Sequence, residues 1–527
     1  MSASRRKQWA YPIVLLSGVA ITAFFLLYAL DLFTTDGKFG YFDFDAERIT
    51  DAVGTMSGMI AAVLGIIITV VSIIVQLTAE RFTHVTEMFF KDRTNRVVMG
   101  FYLVGCIAGI MTSLSLRAQF VPRITLTAML GIAMVSFALM APYFTYVFDF
   151  LQPEKIIGRI RRDALDAADR GSRTSAEEDR ALGQAKALAG LEQLTDIIIN
   201  SISSKDKIIA IAGVDALRDF AVRYLGMKPS ARKEWYLIGP GIRRNPDFVS
   251  MAPESIDDLE RRRDWVEWKV LRQYQAVYAE ALANMKDVCY VVAIDTRYIG
   301  ETAVREDDKE ALGVAVKFFN SYLRSTLNAR DVRTAYNLLH QYRTLVEDLL
   351  RAGWHEKALE IAGYLKYYGH VAFRGQLAFV TETAAYDLCT LCELAHTLKS
   401  PVEAKLLTAF LEIDASRAEG EVQESGLRGV RKAQAKLASF YLVADAEPMA
   451  RIIFEDMRHE KPERLRSIRD ELLAVKTEDF WEIIDRGTNF DYLPPDRKAA
   501  LQKFFDWFPR VSKEIEIPAH LTSSQEA

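Results

Sequence analysis

Four segments of the chain, about residues 9–32, 53–77, 97–116 and 124–148, are apolar for long enough to cross a bilayer as helices. The hydrocarbon core is about 30 Å thick and takes about 20 apolar helical residues to span. None of the four carries a charged side chain in its central part. Backbone in lipid must satisfy its own hydrogen bonds, so the helix is the structure open to such segments. The first follows Arg5, Arg6 and Lys7, as a secretion signal would. Its length favours a retained helix, as does the lack of a small-x-small cleavage site before the acidic stretch that follows.

Lysine and arginine near the segment ends set the expected orientation. Basic residues gather at Arg5, Arg6 and Lys7, at Arg81, Lys91, Arg93 and Arg96, and at Lys155, Arg159, Arg161 and Arg162. The loop after the first segment has Lys38 and Arg48 against Asp36, Asp43, Asp45, Glu47 and Asp51. The loop after the third is a short turn with Arg117, Pro122 and Arg123. The sequence therefore predicts a multi-pass protein of the inner membrane with both termini in the cytoplasm. The acidic loop needs no role beyond rejecting positive charge, although it would also attract cations.

The second segment carries Gly54, Gly58 and Gly65, followed by Ser72 and Gln76. Small residues four apart let another backbone come close, and a polar side chain in lipid needs a partner. The stripe reads either as packing within a four-helix bundle or as a face lining a pore or an oligomer axis. Pro142 in the fourth segment predicts a kink. After the second segment, Phe82, Val85, Phe89 and Phe90 recur at helical spacing among charges. That run reads as a helix lying at the inner membrane surface, or as a connector packed on the following domain.

The apolar run closing on Gln76-Leu77-Thr78-Ala79 with Phe82, then Asp92-Arg93, then Met99-Gly100-Phe101, resembles the bacterial membrane family catalogued as domain of unknown function 2254. A second block, Gly190 to Ile198 with Asp206 and Ala210 beyond it, resembles the same family. Thr83-His84 stands where the family often has Pro-Arg, and Lys205-Asp206-Lys207 replaces an Asn-Asp-Pro turn, so the chain is similar to a divergent member. The resemblance covers about residues 1–225. It implies membrane topology and a bacterial source, and it brings no activity with it.

Half of the 527 residues are hydrophobic, yet the mean hydropathy is only +0.03. The apolar runs sit in the first 150 residues, and the remainder has the mixed charge of a soluble domain. A net charge of -4 argues against a nucleic-acid partner. Four cysteines make no disulfide framework; Cys106 falls in a span, and Cys289, Cys389 and Cys392 are expected reduced in the cytosol. From Leu151 to about 511, apolar residues recur at helical spacing. Asp206 and Asp331 each stand as the N-cap of a helix, in the similar stretches Ser204–Ala210 and Ala329–Ala335. Leu349 to Ala362, turning at Gly353, looks like the hairpin turn of a tetratricopeptide repeat, and Ala444 to Ala450 echoes it more weakly. No strict period is visible. The fold class is all-α: a four-helix transmembrane region (1–150), a cytoplasmic domain of stacked helical hairpins (151–511) and a tail (512–527) expected to be disordered.

Chemistry-bearing motifs are few. The phosphate-binding Gly-x-x-x-x-Gly-Lys, His-Glu-x-x-His and Gly-x-Ser-x-Gly patterns are missing. Cys389, Cys392 and His396 share a helix face, but three ligands fall short of a zinc site, so buried cysteines are the expectation and no metal or cofactor is assigned. Met227 to Pro253 is rich in Gly and Pro and reads as an exposed loop; its Arg243 and Arg244 are candidates for an anion or a lipid headgroup. Three function classes remain: a membrane-anchored interaction or regulatory protein, an oligomeric channel lined by the second span, and, last, an enzyme. The sequence favours the first, with the bilayer, a second copy of the chain and a cytoplasmic protein as partners. Reporter fusions after Leu32 and Arg117 should signal the outer compartment, and fusions after Phe82 and Gln152 the cytoplasm. A cytoplasmic signal at Asp43 would overturn that topology.

Overall fold

The computed structural model describes residues 46–79, 89–116, 123–414, 421–480, 485–487 and 489–508. The first apolar segment (9–32), the acidic stretch 36–45, the aromatic run 80–88 and the tail 512–527 lie outside them. Every regular element among the described residues is helical. The chain divides into two compact units, Met1–Ile160 and Arg161–Ala527.

The first unit contains α1 (Ala46–Ala79), α2 (Arg93–Ser115) and α3 (Arg123–Phe150). Within them Ile49–Ile73, Arg93–Ser115 and Ile124–Phe150 are long and apolar enough to cross a membrane. They correspond to the second, third and fourth segments read from sequence. Helix α3 runs through Pro142. Helix α1 packs on both others and buries Val53, Ile60, Val63, Ile67, Val71 and Val75. The close approach is made by glycines of α2. A Cβ at Gly105 would stand 3.1 Å from Ile132 and 3.4 Å from Ile60, and one at Gly109 would collide with Ser57 and Met129.

Polar ties join α2 to α3. The Tyr102 hydroxyl donates to the Ser136 carbonyl at 2.7 Å. Asp92 caps α2, accepting from the Thr94 and Asn95 amides, and also accepts from the Tyr146 hydroxyl of α3. Tyr143 donates to Asn95 at 2.5 Å, and Asn95 donates to the Phe89 carbonyl at 3.2 Å. Phe89 is buried edge-on against Phe150, 5.3 Å between ring centres, while Phe90 is exposed. Asp92, part of the family-like Asp-Arg pair, is thus a helix cap shared with the next helix.

The chain enters the second unit along α4 (Pro153–Arg173). Then follow α5 (Glu177–Ser203), α6 (Lys207–Met227), α7 (Pro253–Arg262), α8 (Trp265–Asn284), α9 (Lys286–Arg305), α10 (Lys309–Asn328), α11 (Val332–Arg351), α12 (His355–Arg374) and α13 (Ala378–Thr397). The series closes with α14 (Glu403–Leu411), α15 (Glu421–Val443), α16 (Glu447–Met457), α17 (Pro462–Ala474) and α18 (Pro495–Asp506). Helices α8 to α13 are each 20 residues long. Each packs on its neighbour and on the next but one. One row runs α5, α8, α10, α12, α14, and the other α6, α9, α11, α13, α15.

A strict period emerges here that the sequence reading did not find. Asp307, Arg330, Gly353, Gln376 and Lys399 all have φ between +51° and +80°, and each stands 23 residues beyond the last; Asp445 lies two such steps past Lys399. At each, the amide of the next residue reaches back to a carbonyl five positions earlier: Asp308 to Ala303 (2.8 Å), Asp331 to Thr326 (3.2 Å), Trp354 to Leu349 (2.9 Å), Leu377 to Ala372 (2.9 Å) and Ser400 to Ala395 (2.8 Å). This is the left-handed stop that satisfies a helix end and reverses the chain. Asp206, Asp308 and Asp331 then cap the following helix. Buried columns recur in register, as in Phe319, Tyr342, Leu365 and Leu388.

These packing sides give a comparative prediction. Gly109→Leu forces a side chain into Ser57 and Met129 and should cost about 1–3 kcal/mol by overpacking. Gly58→Leu, on an open face of α1, should cost less. Thermal unfolding in detergent compares the two, and equal losses would contradict the assignment.

Candidate functional site

The stripe on α1 is turned outward. Gly54, Gly58, Gly65, Ser72 and Gln76 are all exposed, and a Cβ at any of the three glycines meets nothing within 4 Å among the described residues. It does not pack on α2 or α3.

The 227–253 connection is not the exposed loop expected from its glycines and prolines. Trp235, Tyr236, Ile238, Ile242 and Phe248 are buried. Gln184 donates to the Trp235 and Leu237 carbonyls at 2.9 and 3.0 Å. Lys269, fully buried, binds Glu192 (2.7 Å), Asp247 (2.5 Å) and Asn245 (3.1 Å), fastening the connection to α5 and α8. Arg243 and Arg244 remain exposed; Arg243 donates to the Ile238 carbonyl and lies 3.8 Å from both Asp257 and Glu260. Carboxylates thus already face Arg243. Cys389 and Cys392 are buried, and burial pushes both thiols up. His396 turns away to Glu403 at 2.8 Å.

The arrangement with most chemistry lies on the second row. Between α17 and α18, both packed on α15, the described part of 475–494 is not helical and crosses α11, α13 and α15. Asp485 accepts from Arg333 of α11 at 3.1 and 3.2 Å and from Asn337 at 2.8 Å. Arg486 forms a two-point pair with Asp387 of α13, at 2.6 and 3.2 Å, and donates to the Tyr336 carbonyl. Both side chains are buried, Arg486 being 5% and Asp387 2% exposed. The Phe490 ring stacks on Tyr386 at 4.7 Å and leans on Tyr336 at 5.9 Å. Lys436 of α15 donates to the Phe490 carbonyl at 2.7 Å. Asp491 accepts from Tyr386 (2.6 Å) and Lys432 (2.8 Å). Leu493 is fully buried.

Asp387 has a second partner within the helices: Arg343 of α11 stands 3.1 Å away. His340 pairs with that guanidinium at 2.9 Å. Burial, with Arg486 and Arg343 beside it, holds the His340 imidazole down at about 4. Hydrogen bonds from Arg333 and Asn337 hold the Asp485 carboxyl below its usual value. Two spaces flank this connection, one of about 650 Å³ bordered by Tyr336, Phe379 and Phe490, the other of about 290 Å³ bordered by His340, Cys389 and Arg497. Sequence reading missed this site because its partners lie about 100 to 150 positions apart. The available signal was the stretch Gly487-Thr-Asn-Phe-Asp-Tyr-Leu-Pro-Pro495, whose Gly and Pro break a helix among helices.

A family model described as predicted membrane protein (DUF2254) matches residues 5–198. That span covers the apolar helices and most of α5, and stops before the groove. No protein of curated function and no solved structure matches the chain.

Breaking the buried pair has an ordered outcome. Asp387→Ala leaves two guanidiniums facing each other and should cost about 3–5 kcal/mol. Arg486→Ala leaves Asp387 with Arg343 and should cost less, while raising the His340 pKa. In the wild type His340 stays neutral when folded but binds a proton when unfolded, so stability present above about 6.5 should fall as the pH drops toward 4. Chemical denaturation across that range and NMR titration of His340 test both. An unmoved His340 in Arg486→Ala would refute the coupling.

Proposed function

We propose that this chain, which through residues 5–198 belongs to the DUF2254 family of predicted membrane proteins, is an inner-membrane docking protein. In this reading four spans, including 9–32, anchor it with both termini in the cytoplasm. Its second unit, read as stacked helical hairpins, is then a cytoplasmic surface for another protein. The observation that carries the reading is the second-row face of α11, α13 and α15, which holds non-helical residues of the connection between α17 and α18 by side-chain and backbone contacts. A face that seats one such segment has the shape and bonding for others. Regulation or scaffolding, rather than catalysis, is the role proposed, with no metal, cofactor or nucleic acid assigned. The exposed small stripe of α1 supports self-association in the membrane, because lipid gives helices no hydrophobic drive and small residues mark where they meet. A pore along that stripe is the alternative it leaves open.

In-cell photocrosslinking tests both contacts. A photoreactive residue at Arg333, beside the groove, should capture a second polypeptide, while one at Tyr367 on the first row serves as background. The same probe at Gly58 should yield a dimer-sized adduct. Equal yields at Arg333 and Tyr367 would reject the docking face.

A further inference from the structure

Three carboxyl groups gather around one ammonium where helices of the larger unit turn. Lys228, just past the end of α6, stands 2.5 Å from Glu267 in the first turn of α8 and 2.6 Å from Asp308, the cap of α10. Asp264, between α7 and α8, is the third carboxyl beside them. It is 1% exposed, and its Oδ1 has no hydrogen-bond partner. We propose that Asp264 carries a proton, that this proton keeps α7 and the turn into α8 closed, and that its loss to solvent as the pH rises lets them open.

The charge balance calls for that proton. Fully ionised, Glu267, Asp308 and Asp264 set three negative charges against one positive, and buried like charges disfavour each other's ionisation. Lys228 is engaged by the first two, and Asp308 also accepts from the Ala311 amide at 2.9 Å. Asp264 is left without a donor. Burial, and then the Glu267 charge, push its carboxyl up to about 7; Lys228 and Arg262 oppose the rise and Glu310 adds to it. Burial raises Glu267 as well, against the pull of Lys228, so the two carboxyls titrate as a pair. Lys228 is held above its usual value by Glu267 and Asp308 despite its burial, and keeps its charge. Burial holds the nearby Tyr224 and Tyr236 phenols up, and they stay neutral. Arg262 lies 3.6 Å from Glu310 and 3.8 Å from Asp258, and Arg263 stands 5.9 Å from the Tyr236 ring. Neither guanidinium is reserved for Asp264.

An ionised Asp264 needs water, and a way to it is at hand. A cavity of about 370 Å³ is bordered by Asp264 together with Leu259, Arg262 and Trp268. The released proton leaves through that space, and the carboxylate is hydrated by turning toward it. Such a turn disturbs the stop of α7. There Arg263 has φ +59°, its amide donates to the Glu260 carbonyl at 3.2 Å, and the Asp264 amide donates to the Leu259 carbonyl at 3.2 Å. Helix α7 is ten residues long and buries Ile256 and Leu259, whereas α8 is held from its first residue by the fully buried Trp265. Lightly buried elements are the ones that open locally. The raised carboxyl binds its proton more tightly in the closed form. Closure is therefore strongest at low pH, weakens as the pH climbs out of the usual carboxylate range, and stops weakening beyond about 7. His340 on α11 works in the opposite sense, losing stability as the pH falls.

Hydrogen exchange read by mass spectrometry on the full-length chain in lipid nanodiscs, from about pH 5 to about pH 8 and corrected for the intrinsic rate, measures the opening of α7. Linked release of one proton predicts protection over Pro253–Arg262 that falls about tenfold per pH unit and levels off near 7. Asp264→Asn, neutral and similar in shape, should keep the protection that wild type has at low pH and lose the slope. A flat wild-type profile overturns the proposal. The same slope in Asp264→Asn also overturns it, because the proton then belongs to another group. Should that variant not fold, Glu267→Gln takes its place. Without the neighbouring charge the levelling point should move to lower pH, and an unmoved point overturns the proposal. A slope shared equally by α10 and α12 would mean unfolding of the whole unit instead of a local opening, and would overturn it too.

Discussion

A single residue at positive φ between consecutive helices governs the larger unit. At Asp307, Arg330, Gly353 and Gln376 the chain stops one helix, reverses and starts the next after three residues. With 20-residue helices on both sides, each must return along its predecessor. Equal lengths then bring every second helix level, which is why contacts run to the next neighbour but one and two rows result. A non-glycine residue in the left-handed region costs roughly 1–2 kcal/mol. Burial of whole columns such as Leu312, Ala335, Ala358 and Thr381 offsets it.

Rows of helices present broad faces, and the second row differs from a plain apolar surface. It carries Asp387 between two guanidiniums, Arg343 and Arg486, with Glu347 balancing the former. Burying such groups is expensive, and their attraction roughly returns the cost, so the cluster contributes little net stability. What it supplies is register: without Arg486 at that position, Asp387 is left with Arg343. The Phe490 ring on Tyr386 supplies the opposite, apolar contact with less directional demand. Directional and apolar contacts therefore rest on different residues of the segment, Arg486 and Phe490.

The apolar helices were legible because length and lack of charge need no partner to be recognised. The caps at Asp206 and Asp331 and the turn at Gly353 were legible because local chemistry marks them. Turns at Asp307, Gln376 and Lys399 were not, since none is glycine and the left-handed conformation is imposed by tertiary packing. The 23-residue period was hidden for the same reason: each column conserves burial while its residues range from alanine to tyrosine. The groove was illegible because Asp387, Arg343 and Arg486 meet only after three elements are placed.

Close packing among the described apolar helices is made at glycines of α2. Gly54, Gly58 and Gly65 attract notice by number, but a glycine forms a seam only where a large side chain points at it. On α1 the large residues Val53, Ile60, Val63 and Ile67 define the buried side. Ile60 is received at Gly105 of α2, and Ser57 at Gly109. Tyr102, Asn95 and Asp92 then fasten the same face of α2 to α3 by hydrogen bonds. With one side of α1 so engaged, its small residues are left on the other. Among the described residues, the exposed small residues and the buried valines and isoleucines thus lie on different sides of one helix.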